Sequence, residues 1–99
     1  KVKRTIKRER KFLFKELQKI KGFRVLPTKA NFFLVNIENS GFNAPNLKEQ
    51  LLKHGILIRD CSSIRGLDSR YIRISVGRHL ENRKLLETLR RLRKKHGTN

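Results

Sequence analysis

The chain has 99 residues, enough for one domain with a modest core, and its single cysteine, Cys61, excludes an internal disulfide framework and fits a reducing cytosol. Lys and Arg number 26 against 8 Asp and Glu, and the resulting charge of +18 is concentrated in residues 1–21 and 78–99. No apolar run approaches the roughly 18 residues needed to span a bilayer, and the charged first residues do not resemble a secretory signal, so we expect a cytoplasmic protein.

The first half of the chain predicts one helix and two extended segments. Residues 2–21 are predicted to form an amphipathic helix, because apolar residues recur there at helical spacing among lysines and arginines, and Gly22 should end it. Residues 23–26 form a short extended segment that Pro27 ends. Residues 31–37, NFFLVNI, are predicted to form a strand that is apolar on both faces, which implies a layer of structure on each side. One of those layers could come from outside this chain.

The second half predicts two helices around two further strands. Asn43 is a candidate cap for a helix over residues 44–54, and a strand follows over residues 56–60. Residues 71–76 alternate as a strand does, and residues 79–95 form the last predicted helix. The whole chain is therefore predicted to be one α+β domain, a two-layer sandwich with a mostly antiparallel sheet of about four strands and helices packed on one face.

Two arginines fall on the same predicted face of the later strands. Ile58 and Ile72 should face the helices, so Arg59 and Arg73 should both point away from them and could converge on one surface. The planar guanidinium group of arginine bonds two oxygens of a carboxylate or phosphate at once. The pair could therefore hold a doubly anionic ligand, and two solvated surface arginines are the alternative interpretation.

Other kinds of site find less support in the sequence. Cys61 is expected to be a packing residue, since no histidine stands at a motif spacing from it, and the three histidines make no metal-ligand pattern with it. No glycine-rich phosphate loop is present. The two basic ends leave open a nucleic-acid-binding domain as an alternative of another class, although no zinc-finger, basic-zipper or RNA-recognition motif is visible. Solvated basic helix faces are the more common explanation of such a charge.

Several segments, in order, resemble the histidinol-phosphate aminotransferase branch of the pyridoxal-phosphate enzymes. These segments are LPTKANFFLV at 26–35, GILIRDC at 55–61, YIRISVG at 71–77 and the helix that begins with Glu81-Asn82. The resemblance implies the C-terminal small domain of an enzyme of the class I/II aminotransferase fold. Within this branch the stretch IRDCSSIRGL at 58–67 looks most like threonine-phosphate decarboxylase, an enzyme of cobalamin side-chain synthesis that releases carbon dioxide from O-phosphothreonine. The SVG ending at Gly77 is more typical of the aminotransferases, so a histidinol-phosphate aminotransferase is the alternative.

The resemblance also implies roles for individual residues. Arg73 matches the family arginine that binds the substrate α-carboxylate, and Arg59 matches a neighbouring arginine at the anionic end of the substrate, expected to be a phosphate. Asn31 would border the pocket, and Arg65 and Arg70 are weaker candidates for the phosphate end. The chain is expected to contribute substrate-binding residues alone, with no catalytic residue and no metal.

The remaining parts of the active site are expected outside this chain. The lysine that holds pyridoxal phosphate, like most of the cofactor site, is expected in a large domain to which the helix over residues 2–21 connects. The resemblance further implies a small phosphorylated amino substrate, a homodimeric full-length enzyme and no membrane partner, with any nucleic-acid binding non-specific.

Overall fold

The computed structural model describes residues 2–26, 28 and 30–97, with side chains for residues 6–26, 28 and 30–94. Its elements follow the predicted order. They are α1 (Val2–Gln18), β1 (Arg24–Leu26), β2 (Phe32–Asn36), α2 (Ala44–Leu52), β3 (Arg59–Asp60), β4 (Tyr71–Ser75) and α3 (His79–Gly97). The end of β1 at Pro27 was also predicted, but Pro27 lies outside the described residues.

The four strands form one antiparallel sheet in the order β1-β2-β4-β3. One face of this sheet carries buried residues such as Val35 and Ile72, which form a single core with buried leucines of all three helices. The α+β fold with a four-stranded antiparallel sheet is confirmed. The opposite face, here called the open face, carries alternate residues of the same strands and is partly exposed.

The described residues cover the strand β2 fully on one face only, as the sequence allowed. Phe33 and Val35 are buried, whereas Phe32 and Leu34 on the open face are only half-buried. The strand β2 is therefore apolar on both faces, but the described residues cover only one of them.

Several elements are shorter than predicted: α1 ends at Gln18 where the prediction reached residue 21, α2 ends at Leu52 where it reached 54, and the greatest difference is in β3. The segment 56–60 was predicted to be a strand, but only Arg59 and Asp60 pair with β4. The amide of Ile56 instead donates to the carbonyl of Leu51 at 3.0 Å and closes the last turn of α2. Leu57, which follows, is 78% exposed.

The cap of α2 is formed as the sequence predicts. Asn43 has extended backbone angles, and its side-chain oxygen accepts a hydrogen bond from the amide of Asn46 at 2.9 Å. Pro45 stands in the first turn, where its missing amide hydrogen costs nothing. In the part of the chain that is described, no helix is both long enough and apolar enough to cross a membrane.

Candidate functional site

The two arginines singled out in the sequence stand side by side in the sheet. Arg59 of β3 is the direct cross-strand partner of Arg73 of β4, and Leu34 of β2 flanks Arg73 on its other side. Directly opposed side chains have Cβ atoms about 5 Å apart and point to the same face. The structure therefore brings Arg59 and Arg73 together on the open face.

Neither guanidinium group is neutralised by a described side chain. Among the described residues, no ion pair or hydrogen bond involves the guanidinium group of Arg59 or Arg73, and the Cys61 thiol contacts only the backbone carbonyl of Arg59. Arg73 instead lies over the ring of Phe32, with its Cζ atom 4.6 Å from the ring centroid. Like charges directly opposed in a ladder repel each other, so an anion placed between them would relieve that repulsion.

The arginine pair borders a groove of about 420 Å³. Residues of β3 and β4, the segment before β3 and helix α2 line it, namely Lys48, Leu57, Ile58, Arg59, Asp60, Arg73 and Ser75. Lys48 had no signal in the sequence, because it is one lysine among many on a helix. Its place in the groove arises because α2 packs beside the edge strand β3.

The other predicted site residues lie elsewhere on the domain. Asn31 is exposed at the start of β2, where its carbonyl accepts a hydrogen bond from Val76 at 2.9 Å, and it does not line the groove. Arg65 is exposed in the turn between β3 and β4. Arg70 is held by Asp68 at 2.8 Å and Glu38 at 3.2 Å.

The cysteine beside the arginines is not disposed to react. Cys61 is fully buried, and its thiol lies 3.9 Å from the carbonyl oxygen of Arg59. Burial raises the pKa of the Cys61 thiol, although the nearby charge of Arg73 acts in the opposite direction. A raised thiol pKa and a buried position agree with the packing role expected from the sequence.

Most of this chain matches the model of a known protein family. The family model described as "Aminotransferase class I and II" matches residues 1–91. The chain belongs to the class I and II aminotransferase family. Enzymes of this family depend on pyridoxal phosphate.

Named relatives of this aminotransferase domain include enzymes of two activities. It is 42% identical over 81 residues to the histidinol-phosphate aminotransferase of Methanopyrus kandleri. This match covers 82% of this chain and 21% of the relative. The histidinol-phosphate aminotransferase structure from Clostridium acetobutylicum matches with a TM-score of 0.84 and 36% identity, over 91% of this chain and 27% of the other. The L-threonine-O-3-phosphate decarboxylase structure from Porphyromonas gingivalis matches with a TM-score of 0.85 and 30% identity, over 92% of this chain and 28% of the other.

The aminotransferase domain described here matches only a part of the length of its relatives. It spans about a fifth of the length of the curated relative from Methanopyrus kandleri. Every lysine whose side chain is described is exposed, so the described residues alone enclose none of them as a cofactor-bound lysine requires. These residues by themselves therefore do not form a pyridoxal-phosphate attachment site, and their groove carries the guanidinium groups of Arg59 and Arg73.

A second polar cluster escaped prediction from the sequence. The carboxylate of Glu9 accepts hydrogen bonds from Asn82 at 2.9 Å and from His79 at 3.0 Å, and the Asn82 side chain also bonds the amide and the carbonyl of Gly77 at 2.9 Å. This cluster ties α1 to the start of α3 and to the end of β4. The signal that could have revealed it is an acidic residue four positions before Leu13, on the apolar stripe of α1.

Proposed function

We propose that this domain binds the phosphate-bearing end of a small amino substrate for a pyridoxal-phosphate-dependent transaminase of the histidinol-phosphate aminotransferase type. The observation that carries the proposal is the cross-strand pair of Arg59 and Arg73, which no described acidic side chain neutralises. Relatives 36–42% identical to this chain bear that activity in their names, which supports the choice.

The geometry of the pair suits a phosphate group. Arg59 and Arg73 stand at directly paired positions of adjacent short strands, and a phosphate dianion can accept hydrogen bonds from two guanidinium groups. Phe32 under Arg73 limits the positions open to that side chain and keeps its donors directed over the sheet. Binding at this face would orient the substrate, and the cofactor held elsewhere in the enzyme would supply the electron sink.

Threonine-phosphate decarboxylation is the second candidate. Its support is the structural match to the decarboxylase from Porphyromonas gingivalis and the resemblance of residues 58–67. O-Phosphothreonine carries a carboxylate as well as a phosphate, so in this enzyme Arg73 would bind the carboxylate and Arg59 the phosphate. Lys48 in the same groove would add a third positive charge.

The first test is a substitution in the longer enzyme. Arg73→Ala should raise KM for the phosphorylated substrate by roughly 10- to 100-fold, because a hydrogen bond to a charged group contributes about 1.5–3 kcal/mol. Cofactor absorbance should stay unchanged. Arg24→Ala is the matched control, since Arg24 is an exposed strand arginine on the same face outside the groove. An unchanged KM in Arg73→Ala would contradict the proposed role.

Two assays separate the candidate reactions. The longer enzyme is expected to transfer the amino group of histidinol phosphate to an oxo acid, and to release no carbon dioxide from O-phosphothreonine. The reverse result would replace transamination with the decarboxylase function. Failure on both substrates would contradict both candidates.

A further inference from the structure

A second cavity, here called the basic cup, lies between α1 and the start of β2, apart from the groove of Arg59 and Arg73. Its volume is about 300 Å³. Residues of α1, of the loop between β1 and β2 and of β2 itself line it, namely Lys7, Arg10, Lys11, Phe14, Thr28 and Phe33.

The rim of the basic cup is a group of three cations. Lys7, Arg10 and Lys11 stand at relative positions 0, 3 and 4 of one helix, so their side chains share a face. No ion pair links any of the three to a described acidic side chain. These three side chains are therefore unpaired among the described residues, whereas Lys19 further along the helix is paired with Glu16 at 3.0 Å.

The floor of the basic cup is aromatic. The rings of Phe14 and Phe33 lie with their centroids 5.5 Å apart, and the Cζ atom of Arg10 is 5.6 Å from the centroid of Phe33. Thr28 adds no free hydroxyl donor to the cup, because its hydroxyl donates to the carbonyl of Phe32. The floor thus offers apolar contact and the rim offers positive charge.

One buried donor of Arg10 lacks an acceptor. The Nε atom of Arg10 is buried and has no hydrogen-bond partner among the described residues. A buried donor without an acceptor costs free energy, and native structures usually satisfy such donors with protein or water. A carboxylate in the basic cup would neutralise the positive charge of Lys7, Arg10 and Lys11.

We infer that the basic cup receives an Asp or Glu side chain with an apolar neighbour from the part of the enzyme outside residues 1–99. This rests on the proposal that the chain works within a longer aminotransferase, of which it spans about a fifth of the length of a relative. A protein segment can supply a carboxylate for the rim and an apolar side chain for the floor in one contact. The cup is then a docking point between this domain and the remainder of the enzyme.

Carbodiimide cross-linking of the longer enzyme tests this contact. The reagent condenses a lysine amine with a carboxylate that touches it, and peptide mapping identifies the two residues. Lys7 or Lys11 is expected to be joined to an Asp or Glu outside residues 1–99. The Lys19–Glu16 pair is an internal positive control at 3.0 Å, and the exposed Lys15, which does not line the cup, is the matched negative control.

A variant checks that the cup holds the contact. Arg10→Gln should reduce the yield of the Lys7 and Lys11 cross-links several-fold, while Arg91→Gln on the exposed side of α3 should not. Should Arg10→Gln prevent folding of the enzyme, the wild-type cross-links still decide the question.

The opposing outcomes are distinct. Absence of cross-links from Lys7 and Lys11, with Lys19–Glu16 formed, would overturn the inference. So would protection of Lys7 and Lys11 from acetylation by inorganic phosphate alone, which would assign the cup to a free anion. An enzyme active on a phosphorylated substrate but without the cross-links contradicts the docking point alone. Cross-links in an enzyme inactive on both substrates contradict the proposed function alone.

Discussion

Glu9 of α1 is a carboxylate that is only 7% exposed and lies in contact with the start of α3. Burial by itself would raise the pKa of Glu9. Hydrogen bonds from Asn82 and His79, with the positive charges of His79 and Arg8, outweigh that effect and hold the pKa below its ordinary value of 4.5. The ionised form of Glu9 is therefore favoured by the folded chain.

A group whose pKa is lower in the folded state stabilises the fold at high pH and loses that contribution as the pH falls. The contribution of Glu9 should be complete above about pH 4.5 and should decline as the pH drops through the lowered folded-state pKa. Glu9→Gln should be less stable at neutral pH by about 1–3 kcal/mol. Its free energy of unfolding should also fall less than that of the wild type as the pH is lowered.

Urea unfolding of the 99-residue chain between about pH 3 and pH 7 measures this dependence. Glu16 and Asp68 also have lowered pKa values, but both are present in the two proteins, so the difference between the curves isolates Glu9. The exposed Glu87→Gln is the control. A Glu9→Gln curve parallel to that of the wild type would contradict the role assigned to the ionised carboxylate.

At the scale of elements, the turn after α1 determines how closely the chain packs against the loop after β2. Gly22 has a φ of +87°, and a Cβ atom there would stand 2.5 Å from the carbonyl oxygen of Asn39 and from the Cα atom of Ser40. Gly66 in the turn before β4 has the same φ, but nothing lies within 4 Å of its Cβ position. The two glycines thus share one backbone requirement and differ in their surroundings.

Replacing each of these glycines with alanine separates the two effects. Gly66→Ala should cost about 1 kcal/mol, the penalty of a left-handed conformation for a residue with a Cβ atom. Gly22→Ala should cost roughly 1–3 kcal/mol more, because backbone atoms must move to admit the methyl group. The midpoint of urea unfolding measures both. Equal losses of stability in the two variants would show that the backbone at Asn39 and Ser40 can move away from residue 22 at little cost.

At the scale of the whole molecule, the net charge of +18 dominates the long-range interactions of the chain with any partner. Basic residues lie on the exposed sides of α1 and α3, and Arg59 and Arg73 add to them on the open face. Among the described residues, few acidic side chains offset them: Glu16 pairs with Lys19 and Arg90, and Glu87 with Arg83. Such a surface attracts polyanions without recognising them.

The chain is therefore expected to bind nucleic acid only through counterion release. Affinity for a labelled duplex should fall by about 10³-fold or more between about 50 and 200 mM salt, as it does for proteins that contact several phosphates. Fluorescence anisotropy on a duplex and on a single strand of unrelated sequence measures it. Tight binding that persists at physiological salt would favour a nucleic-acid-binding domain and would contradict the interpretation that the charge is only a general property of the surface.

Local patterns in the sequence determined the elements and their faces. Period-two alternation in residues 71–76 and helical periodicity in α1 and α3 predicted which side chains enter the core, since each residue's direction follows from its own backbone. The same alternation predicted that Arg59 and Arg73 share a face, and motifs in chain order predicted the family. The sequence could not give the extent of β3, because the amide of Ile56 bonds α2 in preference to the sheet.

Contacts between residues distant in the chain were decided by the tertiary structure. The antiparallel register makes Arg59 and Arg73 direct neighbours, the packing of α2 beside β3 brings Lys48 into their groove, and the crossing of α1 and α3 joins Glu9 to Asn82. Sequence patterns report the direction of a side chain but not what stands opposite it, because pairing depends on how whole elements pack. The sequence therefore determined a face with two arginines, and only the fold decided that the pair stands together without an acidic partner among the described residues.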